Sequence, residues 1–366
     1  MRPAIEQELS DLVRDASGPL RICGGGTRAI GRPVVGEPVL MSGLSGITLY
    51  EPGALTLVAQ AGTPLAEVER ATAAEGQRLA FEPMDMQGLL ARDGVPTVGG
   101  MVAANASGPR RVQAGACRDS LIGVRFVDGA GTIIKNGGRV MKNVTGYDLV
   151  KLMAGSWGTL GVLTECSFKL LPIPETQASL VSDQVTPQEA VDLMSRALAT
   201  PYEVNGAARA LDGRVYLRLE GFARQVGYRS KALREVLGGD WELLEGDKSA
   251  AQWRGLRDVA EFAAMPGDVW RVSVKPSDAP ALVARANCPV VMDWGGGLIW
   301  ALVPEGTDLR GRLGMFSGHA TLIRGSEATR AGLPVFQPEA DAIAALSRGL
   351  RAKFDPRGVL NPGLMG

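Results

Sequence analysis

From residue 20 to residue 172 the apolar positions fall in short runs separated by glycine, the pattern of strands joined by tight turns. The first run, Leu20–Cys23, ends in Gly24-Gly25-Gly26, and Leu44–Leu49 and Leu55–Ala61 are the next strand candidates. Thr63 and Pro64 stand where an N-cap and first helical residue belong, which predicts a helix running to Glu75 and stopping at Gly76. Val124–Asp128 and Thr132–Lys135 predict a hairpin, and Val162–Leu171 a long strand. Pro172 and Pro174 break the pattern and mark a domain boundary.

Past that boundary the periodicity changes. Thr186-Pro187-Gln188-Glu189 is a capping box that opens a helix to about Ala199. Ala207–Leu211 and Arg214–Glu220 pair across Asp212-Gly213. A helix is expected over Ala223–Leu237, closed by Gly238-Gly239. Strand Trp270–Lys275, helix Ala279–Ala286, strand Val290–Trp294 and strand Leu298–Val303 follow. This alternation predicts an α+β layer on an antiparallel sheet. A last helix, Pro338–Lys353, leads into the turn-rich tail FDPRGVLNPG. The domains expected are therefore 1–173, 174–337 and a C-terminal helix and tail, 338–366.

Composition narrows the function classes. Lys and Arg total 39 and Asp and Glu total 39, so there is no electrostatic footprint for nucleic acid or an anionic membrane. No apolar run is long enough to span a bilayer, and the charged N-terminus does not resemble a signal peptide. A cytoplasmic location is expected, with docking onto a membrane-bound partner left open. Cys23, Cys117, Cys166 and Cys288 are scattered without a C-x-x-C pair and read as ordinary buried thiols. The one histidine, His319, rules out a two-histidine metal site or a His–His relay, and no metal is expected.

Three glycine-rich segments beside strands carry the chemistry. In the first, Gly24, Gly26 and Ala29 fit a dinucleotide fingerprint, but Ile30-Gly31-Arg32-Pro33 would stop the helix that a Rossmann site needs. A loop whose backbone N–H groups wrap a diphosphate, or a plain loop, remains. The second, Pro96 to Pro109, sets Gly99-Gly100 before small residues and offers Asn105 and Ser107 as hydrogen-bonding groups. It reads as backbone brought close to a ring system, or as a tightly packed helix start. The third is KNVTGYDLVKLMAGSWGTLGVLTE, Lys142 to Glu165, in which Gly158 to Val162 can offer main chain to a heterocycle's polar edge. Tyr147 and Trp157 are also candidates for core aromatics, and Asp148 for the cap of a helix Leu149–Ala154. The three together point to a dinucleotide held by loops.

The ordered set GGGT, PTVGG-x-x-A-x-N-x-x-G, KNVTGYDL-x-KL-x-x-GS-x-GTLGVLTE and FDP-x-G-x-LNPG resembles the PCMH-type, or vanillyl-alcohol oxidase-type, FAD-binding superfamily. The resemblance covers residues 20–172 and, through the tail motif, 340–366. Within that superfamily the size, the KNVTGYDL wording and the lone Gly318-His319 look most like the FAD-binding E subunits of bacterial glycolate oxidases. It implies a PCMH-type FAD-binding domain of two α+β subdomains, a reduced α+β cap domain with an antiparallel sheet, and a tail returning to the FAD domain. It implies that Gly24, Gly25, Gly26 and Thr27 cradle the diphosphate. Thr97, Gly99, Gly100, Asn105 and Gly108 would line the flavin and ribityl region. Gly158, Gly161 and Val162 would contact a ring edge through main chain, and Asn361 would lie near the isoalloxazine. With Thr27-Arg28 where an attachment histidine would stand, the FAD is expected to be non-covalent.

Catalytic 2-hydroxy-acid dehydrogenases of this superfamily carry a histidine-rich cap motif, which one histidine cannot supply. The expectation is therefore an electron-relaying or structural flavin subunit of a glycolate oxidase that turns glycolate into glyoxylate. Its partners would be a larger catalytic FAD subunit and an iron–sulfur subunit. The alternative is a self-sufficient FAD-dependent dehydrogenase of another small 2-hydroxy acid or alcohol, with His319 or Tyr147 as base. Arg271 and Arg324 are candidate carboxylate clamps, or surface charges. Trp253, Phe262 and Met265 are candidates for partner contact or for core.

Overall fold

A computed structural model describes residues 1–138 and 146–366. Lys142, Asn143, Val144 and Thr145, the start of the third glycine-rich segment, lie outside the described residues. Two antiparallel sheets organise the rest. Parallel strands β1 (Leu20–Cys23) and β2 (Glu37–Leu40) form a small ladder at the N-terminal end. β3 (Ile47–Glu51) and β4 (Thr56–Gln60) come next, and the short β5 (Gln77–Arg78) lies outside the first sheet. With β6 (Leu121–Val127), β7 (Ile133–Gly137) and β8 (Val162–Lys169) they complete a sheet of order β3-β4-β8-β6-β7. The short strand β9 (Leu171–Pro172) pairs with β5.

The second sheet begins at once after Pro174. Its strands are β10 (Thr176–Gln184), β11 (Gly206–Arg209), β12 (Arg214–Gly221), β13 (Glu242–Glu245), β14 (Asp268–Val274), β15 (Val290–Asp293), β16 (Leu298–Val303) and β17 (Gly318–Arg324). They run in the order β13-β10-β12-β11-β15-β16-β14-β17. Helices Pro187–Leu198, Ala223–Leu237, Gly246–Asp258 and Ala279–Ala286 bury their apolar stripes against it. After the helix Asp341–Phe354 the chain returns to the first half, where Leu360 bridges Leu20 in parallel.

Several expectations need correction. β10 is a nine-residue strand directly after Pro172 and Pro174, in a stretch for which no element was expected. Leu44 is not in a strand: it is buried after the turn Met41–Gly43, and β3 starts at Ile47. Thr63 does not cap the helix Leu65–Ala74. Its hydroxyl instead accepts from the Gly46 N–H at 2.9 Å and donates to the Gly46 carbonyl at 3.1 Å. Of the two readings of Trp253, Phe262 and Met265, core holds for the first two, at 1% and 0% exposure, and Met265 packs partly buried against the same core. Cys117 and Cys166 are buried, whereas Cys23 and Cys288 are only partly so.

Candidate functional site

The glycine loop leaves β1 directly and no helix follows it. Gly25 is there because of close approach: a Cβ would lie 1.5 Å from the Val95 carbonyl oxygen. Gly26 has φ +76°, a left-handed conformation costly for other residues, and its Cβ direction is open space. The second segment faces this loop. Thr97 caps the helix Val98–Ala103, its Oγ1 accepting the Gly100 N–H at 3.3 Å. The tail closes the third side. Asn361, at φ +44°, accepts the Ile22 N–H at 2.8 Å and donates to the Trp157 carbonyl at 2.9 Å. One side chain thus ties β1 to the turn that carries Gly158.

These segments enclose two adjoining cavities. One, of about 130 Å³, is lined by Gly24, Thr97, Gly99, Gly100, Gly158, Gly161, Val162 and Asn361. The other, of about 400 Å³, is lined by Gly24, Gly25, Gly26 and Thr27, again with Thr97 and Asn361. Its wall also carries Arg21, Arg28, Arg32 and Arg330 against a single acid, Glu327. Arg28 donates to the Met84 carbonyl at 2.9 Å, while its buried Nε has no partner among the described residues. Glycine-lined walls beside four guanidinium groups fit a flat ring system joined to a diphosphate.

A third cavity, of about 360 Å³, adjoins the first through Trp157. Asn105 lines it, at φ +46°, its Oδ1 accepting the Arg118 N–H at 3.0 Å. So do Arg271 from β14 and His319 from β17, together with Arg111 and Arg118. Burial, then repulsion by Arg111, lowers Arg271 to about 10. Burial, then Arg271 and Arg111, pushes His319 below its ordinary 6.5, so the imidazole is neutral at neutral pH.

Three sequence candidates lie elsewhere. Gly108 lines none of these cavities: its carbonyl accepts from Trp294 Nε1 at 3.0 Å, and a Cβ would meet the Glu82 carbonyl at 2.4 Å. Arg324 cannot serve as a clamp, because its guanidinium is spent on the carbonyls of Gly267, Leu89, Phe262 and Met265. Tyr147 is 88% exposed and lines none of the three, neither a core aromatic nor a base in the site.

Sequence reasoning also missed the ion-pair network that joins the halves. Glu220 of β12 accepts from Arg110 at 2.7 and 2.9 Å, from Arg78 at 3.0 and 3.2 Å and from Asn205 at 2.8 Å. Arg218 forms a fork onto Glu82 at 2.8 and 2.9 Å and lies over the Trp253 ring. Burial works to raise Glu82 and Glu220, but Arg218 and Arg110 outweigh it and hold both below the ordinary carboxylate value. The signal was present in β12: Arg214, Tyr216, Arg218 and Glu220 share one face of a strand whose other face is Val215, Leu217 and Leu219.

The geometry agrees with what known proteins say. A family model described as an FAD binding domain matches residues 1–137. Glycolate oxidase subunit GlcE of Escherichia coli K12 is 36% identical over 99% of this chain and 96% of its own. Glycolate oxidase subunit GlcD of Bacillus subtilis is 31% identical over 62% of this chain and 46% of its own. Among solved structures, an alkyldihydroxyacetonephosphate synthase covers 99% of this chain and 76% of its own, with a TM-score of 0.70 at 15% identity, a likeness of fold. The fold is the PCMH-type FAD-binding fold. The chain belongs to the family of glycolate oxidase subunit GlcE, FAD-dependent oxidoreductases.

Proposed function

We propose that this chain is the FAD-binding subunit of a cytoplasmic glycolate oxidase complex oxidising glycolate to glyoxylate. It relays electrons or supports the assembly, and the main substrate turnover lies in a larger, GlcD-like flavin subunit. An iron–sulfur subunit completes the complex. FAD, when bound, supplies the two-electron acceptor. On this reading Gly24 to Thr27, which line one cavity, would take the diphosphate, and Thr97, Gly99, Gly100, Gly158, Gly161, Val162 and Asn361, which line the other, would take the ring system. FAD is held non-covalently. Neither Thr27 nor Arg28 in the loop can form the linkage that a histidine or cysteine would, although Cys23 does line the same cavity.

The observation that carries this reading is the contrast between neighbouring cavities. Glycines wall the two cavities assigned to FAD, whereas His319 is the lone imidazole on the other side, and burial first and two guanidinium groups second lower its pKa. A second reading has one observation in its favour. Arg271 and His319 face the same cavity beside Trp157, an arrangement able to clamp a carboxylate near a hydroxyl. On that reading the chain is itself a dehydrogenase of a small 2-hydroxy acid. The test is purification of the complex from its native host with a flavin count per subunit, followed by acid precipitation. The proposal expects one FAD on this chain, released into the supernatant. A flavin-free chain, or flavin retained in the pellet, contradicts it.

A further inference from the structure

The cavity that holds His319 carries more positive charge than a single carboxylate neutralises. Its lining includes Arg111, Arg118 and Arg271 and no aspartate or glutamate. The stretch 139–145 reads RVMKNVT and holds no carboxylate either. Arg118 has Asp119 at 3.8 Å in an exposed contact. Arg111 and Arg271 make no salt bridge among the described residues. Each lies instead against the Trp294 ring, 4.6 and 5.0 Å from its centroid. The carboxylates that act on them, Asp119 and Asp293, do not line the cavity. Burial raises Asp293 to about 7, so near neutral pH it gives Arg271 only part of a negative charge.

Arg111 and Arg271 are each partly buried and lie against one indole ring, Arg111 repels Arg271, and an anion in the cavity relieves that repulsion. Arg111 comes from the half that holds the glycine loops and Arg271 from β14, so the charges converge from two separate elements. Ser273 and Thr321 add hydroxyl groups to the same wall. We propose that this cavity is a binding site for a small dianion, a dicarboxylate of two to four carbons, with one carboxylate on Arg111 and the other on Arg271. A planar fork suits each carboxylate. The inference rests on the preceding reading only in placing the cavity beside bound FAD. It assigns this subunit a ligand that differs in charge from the monoanion glycolate.

The test is isothermal titration calorimetry of the full chain carrying FAD, with oxalate, malonate, glycolate and acetate as probes, while the oxidised flavin spectrum is followed in parallel. A dicarboxylate is expected to bind at least about tenfold more tightly than either monocarboxylate and to weaken with added salt. Arg271→Gln and, separately, Arg111→Gln are expected to reduce dicarboxylate affinity by roughly tenfold or more. Glycolate binding as tightly as malonate and oxalate overturns the proposal, and so does no dicarboxylate binding at all. If a variant fails to fold, the ratio measured on the unmodified chain decides alone. Bleaching of the flavin by glycolate would sink the electron-relaying reading and leave this ratio untouched, so the two failures are distinguishable.

Discussion

Glu220→Gln isolates the network between the halves of the molecule. Glutamine keeps the volume and one acceptor oxygen but removes the charge that faces Arg110 and Arg78. The Arg110 side chain is 6% exposed and keeps Glu82, at 3.2 Å, as its one acidic partner among the described residues, shared with Arg218. Breaking a buried pair from one side costs ~3–5 kcal/mol, and the lower end applies because Glu82 remains and Arg78 is 22% exposed. Unfolding entropy of ~2.1 cal/mol/K per residue over 366 residues gives about 0.8 kcal/mol/K, so a loss of ~3 kcal/mol lowers Tm by about 4 °C. The sign with pH follows from the depressed pKa. Glu220 stabilises fully above its ordinary value of 4.5, and that contribution is lost as the pH falls through its lower folded value. Calorimetry at about pH 7.5 and about pH 3.5 should therefore show a gap between parent and variant that narrows in acid. A variant melting within about 1 °C of the parent at neutral pH, or a gap that widens in acid, refutes the reasoning.

Other outcomes follow from the same geometry. Gly100→Val should fold but purify without flavin, since its Cβ meets little besides Thr97 Oγ1 at 3.2 Å and the side chain fills the cavity; an unchanged 450-nm absorbance per chain (roughly, the oxidised-flavin band) contradicts this. Asn361→Ala removes two hydrogen bonds worth ~0.5–1.5 kcal/mol each, and fluorescence titration should find FAD affinity lowered by about tenfold. Burial raises the thiol pKa of Cys117 and Cys166, so in the native protein a thiol reagent should spare both and react with them only after denaturation.

Much of the fold could be read from residues whose local signals agree with the tertiary result. The helix Ala223–Leu237 and strand Leu298–Val303 fall where glycines and apolar runs place them. Elements defined only by long-range pairing were not legible. β10 lies between β12 and β13, and its two proline neighbours masked it. Most residues that line the two glycine-walled cavities were legible in the sequence, because backbone that packs closely around a cavity leaves glycines there. Gly108 misled because a glycine serves equally where backbone crosses backbone, here against Glu82. Arg324 and Arg271 looked alike in sequence, and only the carbonyls gathered around the first distinguish them. The network of Glu82, Arg110, Arg218 and Glu220 joins residues more than a hundred positions apart, which no local pattern records.

The central claim is that this chain holds FAD without oxidising glycolate on its own. The direct measurement is anaerobic mixing of the isolated, FAD-loaded chain with excess glycolate, following the oxidised flavin absorbance. The account predicts that the absorbance persists over many turnover times of the complex and falls only when the larger flavin subunit is added. Rapid bleaching of the isolated chain, abolished by His319→Ala, would contradict it and make this subunit a dehydrogenase in its own right.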